Sequence, residues 1–464
     1  MVLVDLLVIS ENKMANGTLY DKVIGMHTIE GNQILIGRKV IHEVTSNPAC
    51  IERLRDENLD LRFPETTFAV MDHILNTKSQ NGRPFKDSND ELMARTLEEN
   101  VRDFRMTYFA PASGDGGVCH VVFPEQGVIW PGMTAICGDS HTSTYGAFGA
   151  IGFGVGSTQL GHALGSQTIY LDQKLKVRRI NFVGQLQKGV TAKDLVMYAI
   201  RNLGAKGGNG YAHEYGGEVI ENMGMEGRLT MCNMGVEGGA KVAYINPDNV
   251  TFEYLKGRPY APRRDWDKAV EFWKSVASDK NAEYDDVKTL DVSGLEPMVS
   301  WGTASDQSIR ISENVPDVDK NALKYMQLHA GVQILGTPVD VVFIGSCTNG
   351  RLSDIAAASE ILRGRKVAVR TLVVPGSERV SYESERLGYD KLLQEAGAEW
   401  RYPGCSMCLS MSPDTLMNQE RTASTSNRNF MNRQGKGAKT HLMSPYTAAA
   451  SAIEGAIADP RRYL

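Results

Sequence analysis

The chain has 464 residues, 42% of them hydrophobic and 23% charged, with a formal net charge of −5. That length corresponds to about three domains, with ample apolar material for real cores. The mild acidity, with no basic stripe or tail, argues against a nucleic-acid partner or an anionic membrane surface, and no apolar run approaches the length of a membrane span.

The opening Met1 to Ser10 is apolar but short, carries Asp5 and lacks a basic start, so it does not read as a signal peptide. Strand-like and helix-like segments then alternate, which favours α/β layers. Thr67 to Met71 is an apolar run ending at Asp72 and His73, and His120 lies beyond Gly116 and Gly117. Thr134 to Cys137 reads as a strand that stops at a Gly138 turn before Asp139, Ser140 and His141. Ile180 to Val183 reads as a strand opening a new unit, with Thr191 to Asp194 as a capping box for the next helix. Glu237 follows Cys232, Asn233 and Met234, and the polar stretch from Ala277 to Asp286 is the linker candidate.

In the last third, Val339 to Ile344 is a buried strand ending at Gly345, Ser346 and Cys347. Ser353 is expected to cap a helix that carries Ile355, Ala358 and Leu362 on one face. A second strand runs from Val367 to Val374, and a helix covers about Ser381 to Ala396. The last helix starts at Ser444 as N-cap with Pro445 in its first turn and runs to about Ala458. Ligands in such sheets sit beyond the carboxyl ends of the strands, which is where Cys347 falls.

Three cysteines carry the strongest chemical signal: Cys347 alone, and Cys405 with Cys408 in a C-x-x-C pair. Three thiolates fit a cubane cluster that leaves one iron free of protein ligands, whereas four would bury it as an electron carrier. A free iron is a Lewis acid able to polarise a substrate hydroxyl. A C-x-x-C alone also fits half a zinc site, a redox pair or two ordinary buried thiols. The other cysteines show no C-x-x-C spacing, and an odd total of seven indicates a reduced, cytoplasmic protein.

The carboxylates and histidines are the second signal. Asp72 with His73, Asp139 with His141, and the separate His120 and Glu237 are residues of the kind whose pairing fixes an imidazole tautomer and tunes its proton affinity for acid–base work. Any one of these histidines alone is more often a hydrogen-bonded core or surface residue, but three lie beside Gly turns or carboxylates at strand ends. The cluster from Thr425 to Arg433 adds Asn427, Arg428, Asn429 and Arg433, residue types that grip carboxylates bidentately or form a polar surface turn.

In order and spacing these segments resemble the aconitase family, and within it the large subunits of the isopropylmalate dehydratase branch. The matching segments are His42 to Ser46, Met71 to His73, Pro124 to Gly127, Cys137 to Thr142, Met225 to Arg228 and Cys232 to Met234. They continue through Gly345 to Asn349, Gly404 to Cys408 and Ala423 to Phe430, extended by Arg433 to Gly435 and Thr440 with His441. The match begins near Thr18; Met14 looks like a usual family start, so residues 1–13 are expected to be an extension.

The resemblance implies three aconitase-like α/β domains (14–177, 178–282 and 283–464) around a cleft holding the cluster, without the family's swivelling fourth domain. It implies that Cys347, Cys405 and Cys408 hold one 4Fe-4S cluster whose fourth iron binds substrate. Asp72 and His73 would hand a proton to the departing hydroxyl. Asp139 would orient His120, and Glu237 would orient His141. Ser140, Asn427, Arg428 and Arg433 would take the substrate carboxylate or support the cluster, with Asn233 beside Glu237.

The expected activity is a hydro-lyase or isomerase on a 2-hydroxy di- or tricarboxylic acid, 3-isopropylmalate foremost. The expected partner is a small subunit carrying the swivelling domain and the catalytic serine. The chain departs from the usual pattern at Tyr145 (usually His), at Ile74 (usually Asn), at Gly350 (usually Ser) and between Gly156 and His162, where acidic positions are replaced. An altered lining makes a hydratase of maleate-, citraconate- or dimethylmaleate-like acids the alternative within the class. A non-catalytic iron or redox sensor is the alternative outside it, and the intact acid–base set speaks against that one.

Overall fold

The computed structural model of the chain describes residues 17–44, 48–79, 83 and 85–464. The proposed extension at 1–13, and Thr45 and Ser46 of the His42 motif, lie outside them. Three parallel sheets organise the fold. In the first, five strands run in the order Thr107–Phe109, Thr67–Val70, Arg38–Ile41, Thr134–Cys137 and Ile151–Gly154. A second, four-stranded sheet is ordered Val242–Ile245, Tyr211–Gly216, Lys176–Val183 and Asp286–Asp291. The third again has five strands, Glu399–Trp400, Arg370–Val373, Val341–Ile344, Arg421–Ser424 and Lys439–Leu442.

Central strands of the first and third sheets, such as Thr67–Val70 and Val341–Ile344, are buried along their whole length. Their unbroken apolar runs follow from that, because helices cover both faces of a parallel sheet and leave no polar side. The second sheet reaches past residue 282, since Asp286–Asp291 pairs along Lys176–Val183. The stretch from Ala277 to Asp286 is no free tether. Ser278 donates to Glu214 at 2.6 Å, and Asp279 holds the Lys22 ammonium at 2.7 Å and accepts from Gly17 N–H at 2.7 Å. Its polarity is spent on partners distant in sequence.

The first and third sheets are tied together beside the site. Val118 N–H donates to Gly376 carbonyl at 2.8 Å, and the Glu378 carboxylate accepts backbone N–H groups of Ala112, Gly114 and Gly116. Gly117 lies where the chains touch: a Cβ there would stand 2.5 Å from Ser377 Cα, and its φ is +141°. Only glycine suits both demands. Among the described residues no helix is long and apolar enough to cross a membrane.

Candidate functional site

Loops at the carboxyl ends of the first and third sheets enclose a cavity of about 220 Å³. The first sheet contributes His42, Asp72, His73 and Asp139, each just past a strand end, and the third contributes Cys347, Cys405, Cys408 and Arg428. His120, Ser140, His141 and Arg433 complete the polar wall. Asn427 and Glu237 stand behind it.

The Asp72–His73 pair is the most tightly built part. Asp72 is fully buried; its Oδ1 lies 2.5 Å from His73 Nδ1, and its Oδ2 accepts the Cys119 N–H at 3.0 Å. Burial alone would raise the carboxyl. The charge and hydrogen bond of His73, with His42 nearby, instead hold it at about 2. Burial likewise opposes charge on His73, but Asp72, Glu43 and Asp139 outweigh it and lift the imidazolium to about 10. With Nδ1 engaged by Asp72, the proton on Nε2 is the one free to leave. Nε2 lies 3.9 Å from Asp139 Oδ2.

Asp139 binds two more of the cavity's histidines. Its Oδ1 lies 3.2 Å from His120 Nε2 and 3.2 Å from His141 Nδ1, and it accepts the His141 N–H at 2.7 Å. Burial opposes its charge, yet the hydrogen bonds and charges of the two rings hold it well below the carboxylate range. His141 Nε2 meets Glu237 Oε1 at 2.9 Å, and the same oxygen accepts Arg428 Nε at 2.7 Å. Arg428 Nη2 donates to Ser140 Oγ at 2.7 Å. The pairings expected of His120, His141, Asp139 and Glu237 are thus in contact, with Asp139 serving both rings.

The three cysteines converge on the same cavity from two loops. Asn427 Nδ2 donates to Cys347 Sγ at 3.3 Å and lies 3.7 Å from Cys408 Sγ, and Asn233 Nδ2 donates to Cys347 Sγ at 3.3 Å. Arg433 Nη2 stands 3.8 Å from Cys408 Sγ. The neighbouring Cys347, then the Arg433 and His141 charges, hold the Cys408 thiol well below its ordinary value against burial, whereas Cys408 and burial push Cys347 up. Ser346 and Ser406, each beside a cysteine, hold φ of +80° and +48°. Such conformations cost of order 1–3 kcal/mol each and persist only where the surroundings over-determine them. Cys119 also borders the cavity, and burial, with Cys137 beside it, pushes its thiol well up.

Two buried charges gave little signal in the sequence. Lys193, on the helix Ala192–Leu203, is fully buried and donates to the Thr425 and Ser426 carbonyls, holding the turn that aims Asn427. Burial pushes its ammonium down to about 7. Glu43 underlies the Asp72 turn. Both come from segments whose local pattern marks a cap or a strand end, and nothing local reveals the distant backbone each one meets.

The family model described as the aconitase family (aconitate hydratase) matches residues 19–455. The chain belongs to the aconitase family. It is 50% identical to the 3-isopropylmalate dehydratase large subunit of Gloeothece citriformis (strain PCC 7424), over 97% of this chain and 100% of that protein. The proteins of the same name from Synechococcus sp. (strain JA-3-3Ab) and Nostoc punctiforme (strain ATCC 29133 / PCC 73102) are 50% and 49% identical, with the same coverage. The chain is accordingly a hydro-lyase with the aconitase-like α/β fold, and its family implies an iron–sulfur cluster. The donor set fits one. Three sulfurs share a cavity, and amide and guanidinium N–H groups point at them, the surroundings that stabilise cluster thiolates.

Proposed function

We propose that this chain is the large, cluster-bearing subunit of a two-subunit dehydratase that interconverts 3-isopropylmalate and 2-isopropylmalate through removal and re-addition of water. The observation that carries this reading is the shared cavity, where three cysteine sulfurs face the Asp72–His73 pair. Cys347, Cys405 and Cys408 would hold one 4Fe-4S cluster, which when bound supplies a Lewis-acid iron that makes a hydroxyl a better leaving group. Asn233 and Asn427 donate to the sulfurs and hold the cysteine loops in register.

The chain's own residues then divide the remaining work. His73 keeps a proton at Nε2 and gives it to the departing hydroxyl, while Asp72 fixes the ring through Nδ1. Asp139 orients His120 and His141 about the departing water, and Glu237 holds His141 from its other nitrogen. Ser140, Arg428 and Arg433 take the substrate carboxylate on the mouth side, Arg428 being pre-set by Glu237 and Ser140. Loss of the carbon-bound proton needs a base. The small partner supplies it as a serine on its swivelling domain, together with the residues that choose the substrate side chain. The relatives' common name, large subunit, supports that division.

The alternative substrate is a maleate- or citraconate-like acid; of the departures that suggest it, Tyr145, Ile74 and Gly350 all stand behind the cavity wall, and Tyr145 meets the site through the His120 ring. The test is an anaerobic assay of the cluster-loaded chain, alone and with its small partner, on isopropylmalate, citraconate and maleate. Turnover of isopropylmalate by the pair and none by the chain alone is expected. Robust turnover by the isolated chain would overturn the two-subunit reading, and preference for maleate or citraconate would replace the substrate.

A further inference from the structure

Glu43 stands two residues past the strand Arg38–Ile41 and is fully buried. A carboxylate in that position must have its oxygens satisfied. Its partners are three successive backbone N–H groups of the neighbouring loop. Oε1 accepts His73 N–H at 2.6 Å and Ile74 N–H at 3.0 Å, and Asp72 N–H lies 3.3 and 3.2 Å from the two oxygens. Successive N–H groups converging in this way form an anion-holding nest, here filled by a side chain of the protein itself.

His42, Glu43, Asp72 and His73 also lie close enough together to suggest a cation site. The nest argues otherwise, because the positive ends of three N–H dipoles already point at the Glu43 oxygens. The consequence is mechanical. The peptide planes at 72–74 set the directions in which Asp72 and His73 leave the backbone, and the Asp72 carbonyl in turn accepts Cys405 N–H at 3.0 Å. One buried carboxylate thus holds the turn that carries the proton donor and abuts the C-x-x-C loop.

We propose that Glu43 is a positioning residue for the Asp72–His73 pair, locking the 72–74 turn so that His73 Nε2 faces the leaving group. The inference rests on the proton-donor role given to His73 above. Its test uses Glu43→Gln and Glu43→Leu in the assembled, cluster-loaded enzyme. Gln keeps one acceptor oxygen but turns an NH₂ toward the Asp72 N–H; Leu keeps the volume and removes both acceptors.

Turnover should fall about tenfold in Glu43→Gln and roughly a hundredfold in Glu43→Leu, the scale of a misplacement near 1 Å, with KM within about twofold and iron content unchanged. A crystal structure of Glu43→Gln should show the 72–74 turn displaced and the Asp72–His73 bond lengthened. Wild-type turnover in Glu43→Gln, an unmoved turn, or loss of iron with a rise of KM matching the fall in kcat would each overturn the proposal. If Glu43→Leu does not fold, Glu43→Gln decides. An inactive wild-type pair would refute the functional reading instead, and the crystal structure would still decide the role of Glu43.

Discussion

His73 owes its usefulness to neighbours more than to its own chemistry. An ordinary histidine is mostly neutral above about pH 6.5, whereas Asp72, Glu43 and Asp139 keep this one protonated up to about pH 10. In the proposed reaction His73 acts as the protonated ring, so the alkaline limb of kcat should lie near that value. Asp72→Asn removes the main source of the upward shift, and the limb should move to lower pH, toward the ordinary histidine range. An unmoved limb would mean that another group is the acid. His73→Ala should lower kcat by about a hundredfold or more while the cluster spectrum is unchanged, the usual scale for losing a general acid. Arg428→Lys should act on binding instead, raising KM roughly tenfold, because an ammonium cannot reproduce the guanidinium fork that meets Glu237 and Ser140.

At the scale of elements, the site depends on strand ends and on tight turns packed against the second sheet. The 3₁₀ segment Ser140–Phe148 carries His141 and lies against the strand Val242–Ile245 so closely that a Cβ on Gly146 would stand 1.8 Å from the Ala243 carbonyl oxygen. Gly146→Ala should therefore destabilise the chain by about 3 kcal/mol or more, read as a lower urea midpoint, with cluster loading reduced in parallel.

Much at this scale was legible beforehand. The Thr191–Asp194 capping box, the Ser444 cap with Pro445, and the strand before Cys347 all form, because each is written in consecutive residues. Boundaries set by remote contacts were not. The helix expected from Ser381 to Ala396 is two, Glu378–Arg386 and Tyr389–Glu395, broken where Gly388 takes φ of +77°. Arg351, not Ser353, caps Leu352–Leu362: its guanidinium is drawn back to the Thr348 and Cys347 carbonyls while Asp354 accepts its N–H. The last helix stops at Glu454, earlier than expected, at a left-handed Gly455. For the site, the cysteines, histidines and carboxylates could be found from residue type and strand-end position. Lys193 could not, and Glu43, although it lies past a strand end in the matched His42 segment, showed no role there, since the partners of both lie 29 to 233 residues away.

The whole molecule brings two parallel sheets to one cavity so that three cysteine sulfurs from the third face the Asp72–His73 pair and Asp139 from the first. Neither set has much use without the other, and the Gly117–Ser377 contact with the Glu378 latch keeps them in register. The central claim is that Cys347, Cys405 and Cys408 alone hold the cluster. Iron and sulfide analysis after anaerobic reconstitution tests it in the wild type, the three single Cys→Ser variants and Cys119→Ser, whose thiol borders the same cavity. The wild type and Cys119→Ser should carry about four irons and four sulfides per chain, and the other three variants far less. Full loading of any of those three, or loss of the cluster in Cys119→Ser, would contradict the account.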